Sequence, residues 1–318
     1  MYGMGSSSYQ LKLPRLAASG RVSGKRKKTP EYTFIDLFAG IGGFHLALHN
    51  LGAGCVFASE WDEQARKTYE HNFASIEPEL FENEFFAGDI TKIDPKDIPD
   101  FDILTGGFPC QPFSQAGFKK GFKDARGTLF FNIARIIETK KPAAFFIENV
   151  RHLLHHDNGD TFRTIKHVIE NELGYSFYHK IIKASDFGLP QHRPRLYMVG
   201  FRDKDIPFKF PDPIPLETDM SDVFGASTGR RVGFTLRLGG RGSGINDRRN
   251  WDSYLVNGKV RRLSPTEGKK MMGFPNNFEF PVSESQAMRQ LGNSVAVNAI
   301  QATAAEVLKA LDKHYGGK

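Results

Sequence analysis

The sequence predicts an α/β fold built on a mostly parallel sheet, followed by a smaller region of strands and loops. Three observations predict it. Short, almost wholly apolar runs alternate with stretches of helical periodicity from residue 32 to about residue 201. The residues that break the pattern (Gly40, Gly42, Gly43, Glu60, Asp89, Pro109, Cys110 and Glu148) all fall at the ends of those runs. Beyond Phe201 the chain becomes rich in Pro, Gly and Arg and loses helical periodicity until its last segment. Strands covered by helices on both faces read as continuous apolar runs. Ligands of such sheets bind beyond the carboxyl ends of the strands.

Each element follows in order. Residues 32–38 form a strand that ends in Ala39-Gly40-Ile41-Gly42-Gly43, and residues 44–51 continue as a helix. Residues 55–58 are a second strand ending in Glu60-Trp61-Asp62, with a helix to about Phe73. Residues 85–87 lead to Gly88-Asp89-Ile90, and residues 101–105 give a short strand before a Gly- and Pro-rich loop. Residues 128–139 read as helix, and 143–147 as a buried strand bounded by Pro142 and Glu148. From residue 290 to about 311 a helical pattern returns. We therefore expect a basic tail over 1–30, a first domain over 31–200 plus 289–318, and a second over 201–288.

Composition limits the function. With 40% hydrophobic and 25% charged residues among 318, the chain is globular in type. Its net charge of +7 is misleading, because residues 1–30 hold seven basic residues and no acid, leaving the rest neutral. That neutral body is itself polarised. Residues 225–262 carry nine basic side chains against Asp247 and Asp252. An Arg- and Gly-rich segment of this kind suits phosphate contacts and base-edge readout. No apolar run approaches the roughly 20 residues of a membrane span, and residues 1–30 lack the apolar core of a secretory signal. Two cysteines, Cys55 and Cys110, exclude a disulfide scaffold and predict a reducing compartment.

The chemistry concentrates in a few strings. The glycines of 40–43 let a ligand approach the backbone closely, though their spacing is not G-x-G-x-x-G. Glu60, about 20 residues on, could hold ribose hydroxyls; Trp61 offers a flat face to an adenine, and Asp89 an acceptor for its amino group. NAD and S-adenosylmethionine fit these residues equally. Gly106-Gly107-Phe108-Pro109-Cys110-Gln111-Pro112-Phe113-Ser114 places a cysteine on a stiff loop at a strand end, where a nucleophile would sit. Cys55, within an apolar strand, reads as core. Glu148 ends an apolar strand, where desolvation favours a protonated carboxyl. Arg193 and Arg195 are two apart and would share a face if extended, with guanidinium groups able to reach a carbonyl or a phosphate. His152 and His156 have the i, i+4 spacing of a helical metal pair but lack a supporting third ligand, so no metal is expected.

Together these strings resemble the bacterial DNA cytosine C5-methyltransferase family. The matches, in family order, are residues 36–43 (Asp-Leu-Phe-Ala-Gly-Ile-Gly-Gly), Glu60-Trp61, Gly88-Asp89-Ile90, Pro109-Cys110-Gln111, residues 126–130 (Arg-Gly-Thr-Leu-Phe) and Glu148-Asn149-Val150. Gln191, Arg193 and Arg195 follow, then Arg262, Leu263, Pro265 and Glu267, then Gly292-Asn293-Ser294-Val295. The resemblance runs from about residue 33 to the C-terminal helix and is weakest over 202–258.

The resemblance implies a Rossmann-like S-adenosylmethionine-dependent methyltransferase fold with a smaller, mainly strand-and-loop target-recognition domain. It implies S-adenosyl-L-methionine as cofactor, with S-adenosyl-L-homocysteine as product. The cofactor would be lined by Phe38, Ala39, Gly40, Ile41, Gly42, Gly43, Glu60, Trp61, Asp89, Ile90, Leu129, Asn293, Ser294 and Val295. The catalytic residues would be Cys110, Glu148, Arg193 and Arg195. Double-stranded DNA would be met by Ser114, Lys119, Lys120, Lys123 and Arg126 on a closing loop. Arg230, Arg231, Thr235, Arg237, Arg241 and Arg248 would meet it from the recognition region, where Thr235-Leu236 looks like that region's Thr-Leu pair. The enzyme is expected to act as a monomer without a metal, in the cytoplasm at the nucleoid of a prokaryote. A cognate restriction endonuclease would need no direct contact with it. Three rivals are weighed against this reading. A nicotinamide oxidoreductase leaves Pro109-Cys110 unexplained, a catalytically silent DNA-binding relative predicts broken motifs, and a tRNA cytosine C5-methyltransferase shares the active-site logic but not the recognition segment.

Overall fold

The computed structural model describes residues 30–109, 129–237, 239 and 242–316. Seven strands form one sheet: β1 (Thr33–Leu37), β2 (Gly54–Ser59), β3 (Phe86–Ala87), β4 (Ile103–Gly107), β5 (Ala144–Val150), β6 (Tyr178–Lys183) and β7 (Pro194–Phe201), in the order β3-β2-β1-β4-β5-β7-β6. The first five run parallel, while β7 is antiparallel to β5 and to β6. The sheet is thus mostly parallel, as the sequence predicts, with an antiparallel edge pair. Strand order reverses at β1, since β2 lies on one side of it and β4 on the other. The carboxyl ends of β1 and β4 therefore diverge into the crevice where open α/β sheets bind ligands.

Both faces of the sheet are covered, which explains the continuous apolar runs. Successive residues of β1 point to opposite faces. Phe34 packs into the layer that holds helices α1 (Gly43–His49) and the C-terminal helix (Val297–Tyr315). Ile35 and Leu37 pack into the layer with Phe130, Ile133 and Ile137 of the helix over Leu129–Lys140. Seven residues are too few for an independently stable helix, which needs roughly 12–15. Burial holds α1 instead, with Phe44, Leu46, Ala47 and Leu48 all in the core. The side chain of Asn50 then donates to Gln301 Oε1 at 3.1 Å and ties the end of this helix to the last one.

The remaining helices are α2 (Glu63–Phe73), α3 (Pro78–Glu82), α4 (Leu129–Lys140), α5 (Asp160–His167), α6 (Met220–Phe224), α7 (Pro265–Met272), α8 (Glu284–Asn293) and α9 (Val297–Tyr315). Asp62 caps α2 by accepting from the amides of Gln64 and Ala65. Ser264 and Glu267 form a reciprocal capping box on α7, with Pro265 in its first turn and Gly273 closing it in the left-handed conformation. Between residues 202 and 263 regular structure is sparse, as the composition suggests. A hairpin of β8 (Ser253–Val256) and β9 (Lys259–Arg262) turns through Asn257 and Gly258, whose positive φ angles of 48° and 76° fit the tight mirror-image turn of hairpins.

One element differs from expectation. The last helical pattern is two helices, α8 and α9, separated at residues 294–296, and Ser294 is extended with ψ 170°. The 288/289 domain boundary falls inside α8. Among the described residues, no helix is long and apolar enough to cross a membrane.

Candidate active site

The loop after β1 is shaped by three left-handed residues, Phe38 (φ 54°), Gly40 (φ 57°) and Gly42 (φ 83°). A non-glycine residue in that region is strained, and such strain collects at functional sites. The turn is fixed from outside: Ala39 N–H donates to Ser59 O at 2.9 Å, and Gly40 N–H donates to Glu60 Oε2 at 2.8 Å. Space above Gly40 is open, since a Cβ built there meets nothing within 4 Å, so a ligand can lie against the backbone. Gly43 is closed by contrast: a Cβ there would stand 2.6 Å from Val295 Cγ2 and 3.1 Å from Ser294 Oγ. The far end of the chain thus forms one wall beside the first glycine loop.

The acids around this cleft differ. Glu60 is buried, accepts from Gly40 N–H and Asp62 N–H, and has its pKa raised by burial. Asp89 caps a short helical turn by accepting from the amide and hydroxyl of Thr91, bonds that lower its pKa. Trp61 is 80% exposed, a large apolar ring left at a strand end. Ile90 is buried, Leu129 is half-buried at the start of α4, and Asn293 is exposed at the end of α8. Asp36 lies buried one residue before the carboxyl end of β1, and burial raises its pKa.

The second centre lies at the ends of β4, β5 and β7. Glu148 pairs in register with Gly107, and a Cβ on Gly107 would stand 3.5 Å from Glu148 Oε2 and 3.8 Å from Val295 Cγ1. A Cβ at 107 would thus make ordinary contact with the carboxyl and with Val295. Arg195 Nε stands 3.0 Å from Glu148 Oε1. Burial raises the pKa of Glu148, and the charges of Arg195 and then Arg193 pull it back. Asn149 donates through Nδ2 to Phe108 O at 2.8 Å and accepts from Val150 N–H at 2.8 Å. It pins the peptide that leads into Pro109, so Asn149 has a stated job that its motif alone does not reveal.

Arg193 and Arg195 do not act as a simple same-face pair. Arg195 faces Glu148, whereas Arg193 is buried and donates to the carbonyls of Leu236 (3.0 Å), Gly292 (3.0 Å) and Ser294. The departure arises because β7 begins only at Pro194, leaving Arg193 in the preceding loop. Burial and then Arg195 push the Arg193 pKa down to about 9.

In the recognition segment, Arg230 lies over the Phe234 ring at 4.3 Å, and Arg231 donates to Leu216 O at 2.9 Å. Arg237 and Arg248 are exposed, and Thr235 is half-buried. Arg249 is taken by Asp247, whose pKa it lowers to about 2. Cys110, Ser114, Lys119, Lys120, Lys123, Arg126 and Arg241 lie outside the described residues. Cys55 is buried in β2, and burial raises its pKa. Iodoacetamide is therefore expected to spare Cys55 in the native chain and to modify it in the unfolded chain; peptide mass mapping reads the difference, and modification of Cys55 in the native chain would contradict it.

His152 and His156 do not share a helix. They lie in successive 3-10 turns, with ring centroids 6.2 Å apart and perpendicular. His45, His49 and Glu77 do converge, with ligand-type atoms within 4.8 Å of one another. His45 also bonds the Tyr69 hydroxyl at 2.6 Å and stacks on Phe73 at 4.0 Å, which builds it into the aromatic packing behind α1.

A reversed strand order, an open glycine loop with an acid at the next strand end, and a buried Glu–Arg pair are the features of an α/β enzyme with a nucleotide-type cofactor. Comparison with known proteins makes this specific. The family model for C-5 cytosine-specific DNA methylase matches residues 32–232 and 227–309. The chain is 44% identical to the type II methyltransferase M.SsoII of Shigella sonnei, over 88% of this chain and 81% of that protein. It is 42% identical to M.HhaI of Haemophilus parahaemolyticus, over 87% and 94%. The fold also matches the solved structure of Schizosaccharomyces pombe Dnmt2, with a TM-score of 0.63, 20% identity, and coverage of 88% and 99%. A putative DNA modification methyltransferase encoded in an Escherichia coli prophage gives 0.64 at 19%, covering 89% and 100%. The chain belongs to the C-5 cytosine-specific DNA methylase family. Its fold is the Rossmann-like S-adenosylmethionine-dependent methyltransferase fold with a smaller β-rich region. It is a DNA (cytosine-5-)-methyltransferase that transfers a methyl group from S-adenosyl-L-methionine to C5 of a flipped cytosine in a specific duplex sequence, by covalent cysteine chemistry.

Proposed function

We propose that Cys110 is the nucleophile of this reaction and that Glu148, Arg195 and Arg193 form its activating centre. The observation that carries the assignment is the buried Glu148–Arg195 pair beside Gly107, three residues before Cys110. S-adenosyl-L-methionine supplies an electrophilic methyl group when bound. C5 of cytosine is a poor nucleophile, so the chain must first raise electron density there. The Cys110 thiolate attacks C6. Glu148, protonated, donates to N3 and stabilises the enamine that forms. Arg195 holds the O2 carbonyl, supported by the charge of Arg193. C5 would then take the methyl group of the bound cofactor as the S–CH3 bond breaks, leaving S-adenosyl-L-homocysteine; a base would then take the C5 proton as the C6–Sγ bond breaks and Cys110 leaves.

Phe38, the glycine loop, Glu60, Trp61, Asp89, Ile90, Leu129, Asn293, Ser294 and Val295 would hold the cofactor. The open backbone over Gly40 and the desolvated Glu60 support that placement. Gly43→Ala is expected to raise the KM for the methyl donor roughly tenfold, the effect of about 1–3 kcal/mol of overpacking on a binding wall. Initial rates at varied donor concentration check this, and an unmoved KM would remove Ser294 and Val295 from the site.

Residues 201–288 would read DNA, with α8 returning the chain to the catalytic domain. Flipping the target costs a few kcal/mol, which contacts from Arg230, Arg231, Thr235, Arg237, Arg241 and Arg248 would offset. Ser114, Lys119, Lys120, Lys123 and Arg126 would close over the extruded base. The basic residues of 1–30 would add non-specific, salt-sensitive affinity. The reading also places the enzyme at the nucleoid in the cytoplasm of a prokaryote, as a monomer, with any cognate restriction endonuclease acting on the same site without touching it. Base-resolution sequencing of 5-methylcytosine in DNA from cells expressing the chain tests the proposal. One short sequence methylated at one cytosine is the expected result; methylated tRNA with unmodified DNA would overturn it.

A further inference from the structure

Two buried side chains lace the recognition segment to the cofactor wall. Gly233 N–H donates to Pro190 O at 2.9 Å, His192 N–H donates to Gly233 O at 2.9 Å, and the Thr235 hydroxyl donates to His192 O. Gln191, fully buried, accepts from Leu236 N–H at 3.0 Å and donates to Met271 O of α7 at 3.0 Å. Arg193 donates to Leu236 O at 3.0 Å, and its other terminal nitrogen reaches Gly292 O and Ser294 O. Both backbone polar groups of Leu236 are thus held by side chains two residues apart. The guanidinium that holds Leu236 also holds the end of α8 and Ser294, which stands with Val295 against Gly43.

We propose that Gln191 and Arg193 are positioning residues that couple the two binding events: duplex DNA engaging Thr235 moves the buried Leu236 beside it and so shifts the Ser294-Val295 wall, and DNA and methyl donor each bind more tightly in the presence of the other. The inference rests on the reading of Thr235-Leu236 as recognition segment and Ser294-Val295 as cofactor wall. A planar guanidinium presents its donors in a fixed fork, so the carbonyls it holds move together. A buried carbonyl left without its donor costs free energy, so Leu236 cannot shift without moving Ser294 or breaking a bond. Linkage makes the effect reciprocal.

The test measures S-adenosyl-L-homocysteine affinity of the full chain by calorimetry, alone and with unmethylated bacteriophage DNA. The parent is expected to gain about tenfold on DNA, within the usual range of such couplings. In Arg193→Lys the single ammonium cannot bridge the carbonyls, and the gain falls below about twofold, with the KM for the donor rising more than kcat falls. Gln191→Met keeps the volume but releases Leu236 N–H, Met271 O and Met272 Sδ, leaving Leu236 held by Arg193 alone; its coupling is expected to fall below the parent's, and it carries the test if Arg193→Lys melts before assay. A parent without coupling, or a folded variant that keeps it, overturns the proposal. Thr235→Ala separates the two readings. An unmoved KM for DNA there overturns the recognition role of this segment, whereas coupling that persists in the clamp variants overturns the clamp alone.

Discussion

Cys110→Ala is expected to lose methyl transfer on the order of 10⁴-fold or more, while DNA affinity stays within about threefold. The two quantities separate because the thiolate is needed only for the covalent step. Without attack at C6 there is no enamine, and C5 keeps too little electron density to take a methyl group. Binding depends on the basic recognition segment and on phosphate contacts, which the substitution leaves alone. Transfer of labelled methyl groups and electrophoretic shift of duplex DNA give the two numbers. Substantial turnover by the variant would show that the nucleophile lies elsewhere.

Glu148→Gln is expected to slow methyl transfer roughly 10²–10³-fold, the usual cost of removing one preorganised donor from a developing charge. It should also change the shape of the pH profile. Burial raises the Glu148 pKa above its ordinary 4.5, against the pull of Arg195 and Arg193. The protonated form donates to N3, so activity falls on the alkaline side as pH climbs through the raised pKa. An amide does not titrate, and that limb disappears in the variant. Stability follows the same sign. A carboxyl whose folded pKa exceeds its unfolded value adds stability that is complete below the unfolded pKa and lost as pH rises through the folded one. The Tm of Glu148→Gln relative to the parent should therefore improve as pH rises from the ordinary carboxylate range through the raised pKa of Glu148. An alkaline limb that survives in the variant would assign the titration to another group.

Much of this was legible in the sequence because the fold and the chemistry share the same positions. Apolar runs such as 143–147 could be read as buried strands, and the polar residues at their ends as site candidates, because a parallel sheet exposes only its strand ends. The antiparallel edge pair escaped, since 196–200 is equally apolar in either direction. The break between α8 and α9 escaped because Ser294 and Val295 fit a helical pattern, while the extended chain there lies against Gly43 and is held by Arg193, contacts that no local spacing encodes. Gln191 and Asn149 showed as letters of motifs, but their work is done on backbone atoms of Leu236, Met271 and Phe108, which no spacing encodes. Spacing placed Arg193 beside Arg195 but could not show that its guanidinium also holds the carbonyls of Leu236 and Gly292.

The packing of α9 on α1 also bears on how the molecule is made. Asn50 finds Gln301 only after 251 further residues have been synthesised. During that interval the apolar side of a seven-residue helix has no lid, and the glycine loop it follows lacks its second wall. Contacts of such long sequence separation form late and leave surface open to aggregation. A newly made chain therefore reaches its working shape only when its final helix arrives, and truncation before residue 297 would leave both ends of the protein unfinished at once.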